Sequence, residues 1–356
     1  MNKMKLMAKN IQQMRLDAFI KGLKNKEIKY VPKESSSSKI DWSKYDKAQV
    51  NELKDMIIFI KDVVDKAVVR LSLDEAGEGS RGRPPYPPED LAKGILIQQY
   101  FGVSNRVAEG FVDLFKEKLG IEESFSYKTL ERAYDYPHVA MILMEVFKMT
   151  QDPVKDKETK FSPDGTGIPN SIKGNWEKDS KSDEDGKGFT KMIAMLGTTN
   201  QLISAVRFPD NPYAHESPYF ESLLEETAET YSAIDQISGD AAYLSRDNCD
   251  LVESVGGTPH FYLKEGITLK REGSWAWTDM LLDFMKDPQQ WLRDFHSRSN
   301  VESGFSTFKR GFLAPLRKCI HRRRKAEAFA RVCDYNLKRV SRLHHQEGLP
   351  VPWVAG

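Results

Sequence analysis

The sequence predicts an α/β protein, a mixed β-sheet flanked by helices and preceded by an all-α region with helix-turn-helix-like spacing. Three observations lead there. Before about residue 152, apolar residues recur at helical spacing between Gly and Pro breaks. After Lys155 the pattern turns β-rich and then alternates strand with helix. From about Trp277 to His345 it is helical again. An antiparallel hairpin followed by strand–helix alternation makes a mixed sheet with helices packed on it.

The elements follow in order. Met1 to about Lys33 is basic, either a helix or a loosely ordered arm, and Glu34–Ser38 reads as a linker. Leu53, Ile57, Ile60, Val64, Ala67 and Leu71 mark one face of an amphipathic helix. Gly77–Pro88 is a Gly/Pro-rich joint. Leu91–Tyr100 forms a helix ended by Gly102; Ser104 can cap the next, Asn105–Leu119, which Gly120 closes. A pair at about Tyr127–Tyr134 and Pro137–Met149 follows. Short helices with tight turns resemble helix-turn-helix modules, and periodicity does not separate these from a plain bundle.

Glu158–Asp164 reads as a strand ending on an acid, and Asn170–Gly186 as a polar surface loop or insertion. Phe189–Gly197 and Gln201–Phe208 form a hairpin across Thr198–Asn200. A helix opens at Ser217-Pro218 and runs to about Tyr231; Ala233–Gly239 is a strand leading to Asp240. Ser245 caps a helix to Val255, and Thr258–Leu263 is the last strand. We divide the chain into 1–80 (basic arm and amphipathic helix), 81–152 (helical region), 153–345 (sheet-bearing domain with basic C-terminal helices) and 346–356 (tail).

Length and charge narrow the class. At 356 residues, with 40% hydrophobic and 29% charged, the chain has the composition of a soluble globular protein of about two domains. Its most apolar stretch, Met56–Ile60, is far short of the ~20 residues a membrane span needs. Cys249, Cys319 and Cys333 are too scattered for a disulfide framework or zinc site, which fits a reducing cytoplasm. The net charge of +1 hides +7 over Met1–Lys33, +10 over Trp291–His345 and −16 over the remainder. Basic ends around an acidic middle point to a polyanionic partner, against the alternative of solvated helix faces.

Three carboxylates stand out by position. Asp164 and Asp240 sit at expected strand ends, where acids of adjacent strands converge on one crevice, and Glu302 lies in a late helix. Such an oxygen-lined site suits Mg2+, and paired ions suit phosphodiester displacement. The glycines beside Asp164 and Asp240 would leave room for a bulky substrate. Phe295, Arg298, Glu302 and Lys309, at offsets of 3, 4 and 7, would share one helical stripe, placing phosphate-binding cations beside an acid.

These strings carry a family resemblance. Phe295-x2-Arg298-x3-Glu302-x6-Lys309 resembles the Tyr-x2-Arg-x3-Glu-x6-Lys signature of DDE-type insertion-sequence transposases, with Phe295 in place of the tyrosine. Gly239-Asp240-x2-Tyr243 resembles the family's second-acid motif and Phe161-Ser162-Pro163-Asp164-Gly165-Thr166 its first-acid strand. Gly82–Leu91 is similar to the opening of its helical region, and His215-Glu216-Ser217 falls where the family often has His-Asp-Ser. The resemblance covers about Gly82 to Arg342.

The resemblance implies an RNase H-like catalytic domain over 153–345 and a DNA-binding role for 81–152. It implies Asp164, Asp240 and Glu302 as catalytic residues and ligands of two Mg2+ ions, with Mn2+ as a substitute. It implies hydrolysis at transposon ends and attack of the freed 3′-hydroxyl on target DNA. Double-stranded DNA is the implied partner, bound by a homo-oligomer in a prokaryotic, nucleoid-associated setting. Arg298 and Lys309 would contact the transposon-end backbone. Arg310 and the dense group Arg317, Lys318, Arg322, Arg323 and Arg324 would lie along bound duplex, giving salt-dependent affinity. Two alternatives remain: a catalytically idle DNA-binding derivative, and a cut-only nuclease or resolvase.

Overall fold

The computed structural model describes residues 2–28, 41–73, 85–170, 188–312 and 314–354, with side chains of the first helix from residue 10 on. The expected linker at Glu34–Ser38, nearly all of the Gly/Pro-rich joint and nearly all of the insertion at Asn170–Gly186 lie outside the described residues.

Six helices come first: α1 (Asn2–Lys24), α2 (Trp42–Leu71), α3 (Pro88–Phe101), α4 (Asn105–Leu119), α5 (Tyr127–Ala133) and α6 (Pro137–Met149). The α2 stripe buries Ile57, Ile60, Val64 and Ala67, while its end members differ, Leu71 being half-buried and Leu53 exposed. Gly102 and Gly120 end α3 and α4 at φ +61° and +67°, the left-handed region that glycine occupies without a Cβ clash. Ser104 stands at the start of α4 but its side chain makes no capping hydrogen bond. The Ser126 hydroxyl does cap, accepting from Thr129 N.

The sheet holds β1 (Lys160–Pro169), β2 (Phe189–Gly197), β3 (Ile203–Arg207), β4 (Gln236–Gly239) and β5 (Thr258–Phe261) in the order β3-β2-β1-β4-β5. β1–β2 and β2–β3 pair antiparallel, β1–β4 and β4–β5 parallel. Helices α7 (Phe220–Thr230), α8 (Arg246–Ser254), α9 (Trp275–Lys286), α10 (Pro288–Phe295), α11 (Ser299–Phe312) and α12 (His321–Glu347) complete the chain. The expected mixed α/β architecture is therefore present. One strand differs: β1 does not end on Asp164 but continues to Pro169, because its antiparallel pairing with β2 persists to Pro169↔Phe189.

The C-terminal helix joins the first half of the chain to the second. α12 packs along α2, α3 and α6, and its buried Asn336 accepts from Ile203 N and donates to Ile203 O at the start of β3. At its start Arg331 and Glu327, both buried, pair at 2.8 Å. Glu327 also accepts from the backbone N–H groups of Arg317 and Lys318, and Arg331 donates to Phe312 O and Gln99 Oε1. Buried charges persist only when paired and hydrogen-bonded, so this knot fixes the α11–α12 connection against α3.

Of the two readings of the basic arm, the helix is the one present. Leu16, Ile20 and Leu23 are buried at helical spacing, and Phe19 packs edge-on against Phe284 of α9 at 6.1 Å. Gln13 donates to Ile267 O and accepts from Leu269 N. An apolar stripe beneath the charges docks α1 on the sheet-bearing half. Among the described residues no helix is long and apolar enough to cross a membrane.

Candidate active site

The site begins where β1 and β4 part. Their parallel pairing ends at Phe161↔Ile237, and Asp164 and Asp240 each lie three residues beyond. The two carboxylates therefore leave adjacent strands on the same side of the break. Burial pushes the Asp164 carboxyl above its ordinary value; the Gly165 N–H and Arg298 pull it back, while Glu216 and Asp240 push it up again. Asp164 Oδ1 accepts from Gly165 N at 2.9 Å, and Asp240 Oδ1 accepts from Ala242 N at 2.7 Å.

Glu302 comes from α11. It lines a cavity of about 390 Å³ with Asp164, Thr166, Ser306, Lys309 and Arg310. Its Oε1 accepts from Arg298 at 2.9 Å, and its side chain is 59% exposed. Asp164, Asp240 and Glu302 thus each have one carboxylate oxygen in a hydrogen bond and one with no hydrogen bond among the described residues. Among the described residues no three His, Cys, Asp or Glu side chains are assembled at metal-ligand spacing. The three acids share a neighbourhood without closing into a ligand set. Their chemistry fits a hard divalent ion: carboxylate oxygens only, an acid group crowded by like charge, and one free oxygen apiece.

The expected stripe from Phe295 to Lys309 is not one helix. α10 stops at Phe295, a 3-10 turn spans His296–Arg298, and α11 starts at Ser299. Phe295 points into the core, stacked on Trp291 at 5.5 Å and packed on Tyr262. A ring there serves packing, so the missing tyrosine hydroxyl does not change the acid cavity. Arg298 reaches Glu302 across the turn, and Lys309 faces the cavity with no ion pair among the described residues.

The space beside the glycines is not open. A Cβ on Gly165 would lie 2.0 Å from Glu216 Oε1, and one on Gly239 would lie 2.8 Å from the Phe261 ring. Glu216 is held by Lys191 at 3.1 Å and by the Tyr243 hydroxyl, which donates to its Oε2 at 3.1 Å. The sequence singled out His215-Glu216-Ser217 and Tyr243 without linking them, and Lys191 was not singled out at all. Its only signal was a lysine inside an otherwise apolar strand.

The dense basic group lies elsewhere. Lys318 is 1% exposed at its side chain, bonded to Glu131 at 2.6 Å and Asn105 at 2.7 Å, with its ammonium 4.1 Å from the centre of the Tyr134 ring. That corrects its expected place on bound DNA: as folded it has no surface to offer. Arg323 pairs with Glu131 and Asp135, Arg322 with Asp135, and Lys325 with Asp210. Arg322 and Arg323 hold the Asp135 carboxyl well below the usual carboxylate range. Arg317 donates to Gly102 O, and the Arg324 Nε is buried without a hydrogen-bond partner. Lys318, Arg322 and Arg323 thus form a seam of ion pairs with Glu131 of α5 and Asp135 just after it.

Comparison with known proteins agrees with the geometry. A family model described as Transposase DDE domain matches residues 156–337, about half the chain, and includes all three acids. A second, Transposase domain (DUF772), matches residues 44–113, which extends the likeness upstream of Gly82 into α2. The chain is 27% identical over 254 residues to an Archaeoglobus fulgidus protein named "Probable transposase for insertion sequence element ISA1214", covering 70% of this chain and 74% of that one. With a mixed sheet that carries Asp164 and Asp240 where β1 and β4 separate, and Glu302 on the helix facing Asp164, the chain belongs to the DDE transposases of insertion sequences.

Proposed function

We propose that this transposase binds duplex DNA at transposon ends, cleaves a phosphodiester bond to free a 3′-hydroxyl, and joins that hydroxyl to target DNA. The observation that carries this reading is the shared cavity: Asp164 and Glu302 both line it, together with Lys309 and Arg310, and Asp240 follows the end of the neighbouring strand β4. Asp164, Asp240 and Glu302 would hold two divalent ions, Mg2+ or Mn2+. When bound, such ions neutralise phosphate charge and favour an ionised nucleophile. The chain's own residues do the rest. Lys309 and Arg310 seat the backbone phosphates next to the acids. Arg298 holds Glu302 on the cavity side of α11. Lys191 and Tyr243 hold Glu216 against β1, which keeps Asp164 from rotating away.

The test uses duplexes taken from the DNA flanking the coding region, with MgCl2. The expected products are a nick with a 3′-hydroxyl and then a joined strand. Asp164→Asn, Asp240→Asn and Glu302→Gln should each retain DNA binding and lose both products. Cleavage that persists in any of the three, or in EDTA, overturns the assignment. A nick with no joined product under any condition reduces the activity to cutting.

A further inference from the structure

A second cavity shares a wall residue, Arg310, with the acid cavity. It measures about 320 Å³ and is lined by Tyr45 of α2, Arg310 of α11, and Lys338, Arg339 and Arg342 of α12, among others. Four cations therefore converge on a recess that shares Arg310 with the acid cavity.

Their charge is poorly balanced. Glu52 serves both Lys338, at 2.6 Å, and Arg342, at 3.6 Å. The Arg342 Nε is buried without a hydrogen-bond partner. Arg339 donates to Asn200 O at 2.7 Å and Arg310 to Ser306 O, neither a carboxylate. Burial holds the Arg339 guanidinium below its ordinary value and the Arg342 charge adds to that, against the opposing pull of Tyr335 and Glu347. The Arg317–Lys325 seam differs: there Lys318, Arg322, Arg323 and Lys325 each reach a carboxylate. Crowded cations with only Glu52 in ion-pair reach, among the described residues, cost folding energy that an anion would offset. The rim adds aromatic surface: Trp42 is 63% exposed and packs edge-on against Tyr45 at 5.7 Å. Rings beside guanidinium groups suit sugar and base as well as phosphate.

We propose that Tyr45, Lys338, Arg339 and Arg342, together with Arg310, form a subsite for the phosphodiester backbone of duplex DNA that runs on from the acid cavity. It rests on the DNA-processing role proposed above, and adds residues from α2 and α12 to it. The backbone would pass the acids, cross Arg310, and be gripped between the end of α12 and the start of α2. Fixed phosphates there would set which bond faces Asp164.

The test is fluorescence anisotropy with a 20-base-pair duplex of arbitrary sequence and the full chain, from 50 to 300 mM KCl. One lost phosphate contact lowers the slope of log affinity against log salt by about 0.9, and weakens binding about fivefold at 0.15 M. Arg342→Gln and Lys338→Gln should each show that loss, and the double variant about twice it in slope. Arg70→Gln, on a cation already paired with Glu145 and Asp152, should match wild type. Removing Arg342 leaves Glu52 paired to Lys338, so folding should survive; equal thermal midpoints check this. Wild-type slopes in both variants overturn the subsite, as does weakened binding of inorganic phosphate with DNA binding unchanged. The cleavage assay reads the parent proposal separately: wild-type protein that binds DNA through these residues but never cuts it fails that proposal and leaves the subsite standing.

Discussion

Replacing Lys318 with alanine separates a docking lysine from a DNA-binding one. The ammonium sits in a pocket made by Glu131, Asn105 and the face of Tyr134, with 1% of the side chain exposed. Breaking a buried pair by removing one partner costs about 3–5 kcal/mol, because the other charge is stranded. Here Glu131 keeps Arg323 at 2.9 Å and Asn105, so the stranded charge stays partly answered and the lower end applies. Loss of the ring contact adds to this in the same direction. We expect about 3 kcal/mol of destabilisation, read as a lowered urea midpoint by circular dichroism. The salt slope of DNA binding should stay at the wild-type value. Arg322→Ala removes a cation 72% exposed to solvent and should leave the midpoint nearly unchanged, since exposed pairs contribute little. A Lys318→Ala protein of wild-type stability whose salt slope falls by one contact would refute the docking role and restore this lysine to the DNA surface.

Two further outcomes follow from buried groups. Gly165→Ala places a Cβ 2.0 Å from Glu216 Oε1 and should expel that carboxylate from Lys191 and Tyr243. Turnover should drop at least tenfold with DNA affinity retained, and wild-type turnover would show that Glu216 does not position Asp164. Asp334 is fully buried with neither carboxylate oxygen hydrogen-bonded, and burial raises its carboxyl well above the ordinary value. A raised acid contributes stability that is complete below its unfolded value near 4 and is lost as pH rises toward the folded one. Asp334→Asn should therefore remove up to about 1.4 kcal/mol per pH unit of decline between pH 5 and 7; parallel pH profiles for variant and wild type would contradict this.

Much of the fold was legible because local chemistry dictates it. The α2 stripe, the glycine ends of α3 and α4, and the hairpin across Thr198–Asn200 each follow from residue type and spacing. Asp164 and Asp240 stood out as candidates because Asp beside Gly in or after an apolar β-rich run is distinctive. What pairing decides was not legible: β1 outruns Asp164 because β2 continues to bond it. The stripe at Phe295 breaks because three residues adopt a 3-10 turn, which offsets of 3, 4 and 7 do not reveal. The basic runs misled most. Charge is visible in sequence but its partners are not, and Glu131 and Asp135, nearly two hundred residues away, neutralise Lys318, Arg322 and Arg323. Lys338, Arg339 and Arg342 form no dense run in the sequence, yet they line one cavity, where Lys338 and Arg342 share Glu52.

The central claim is that Asp164, Asp240 and Glu302 jointly bind divalent ions on the cavity wall. Crystals of the protein with end DNA, grown with Mn2+ and measured for anomalous scattering, test it most directly. The account predicts peaks within about 2.3 Å of carboxylate oxygens of Asp164 and Asp240, with Glu302 released from Arg298 to complete the set. Anomalous density bound elsewhere, or Glu302 still paired with Arg298 beside an occupied metal site, would contradict it.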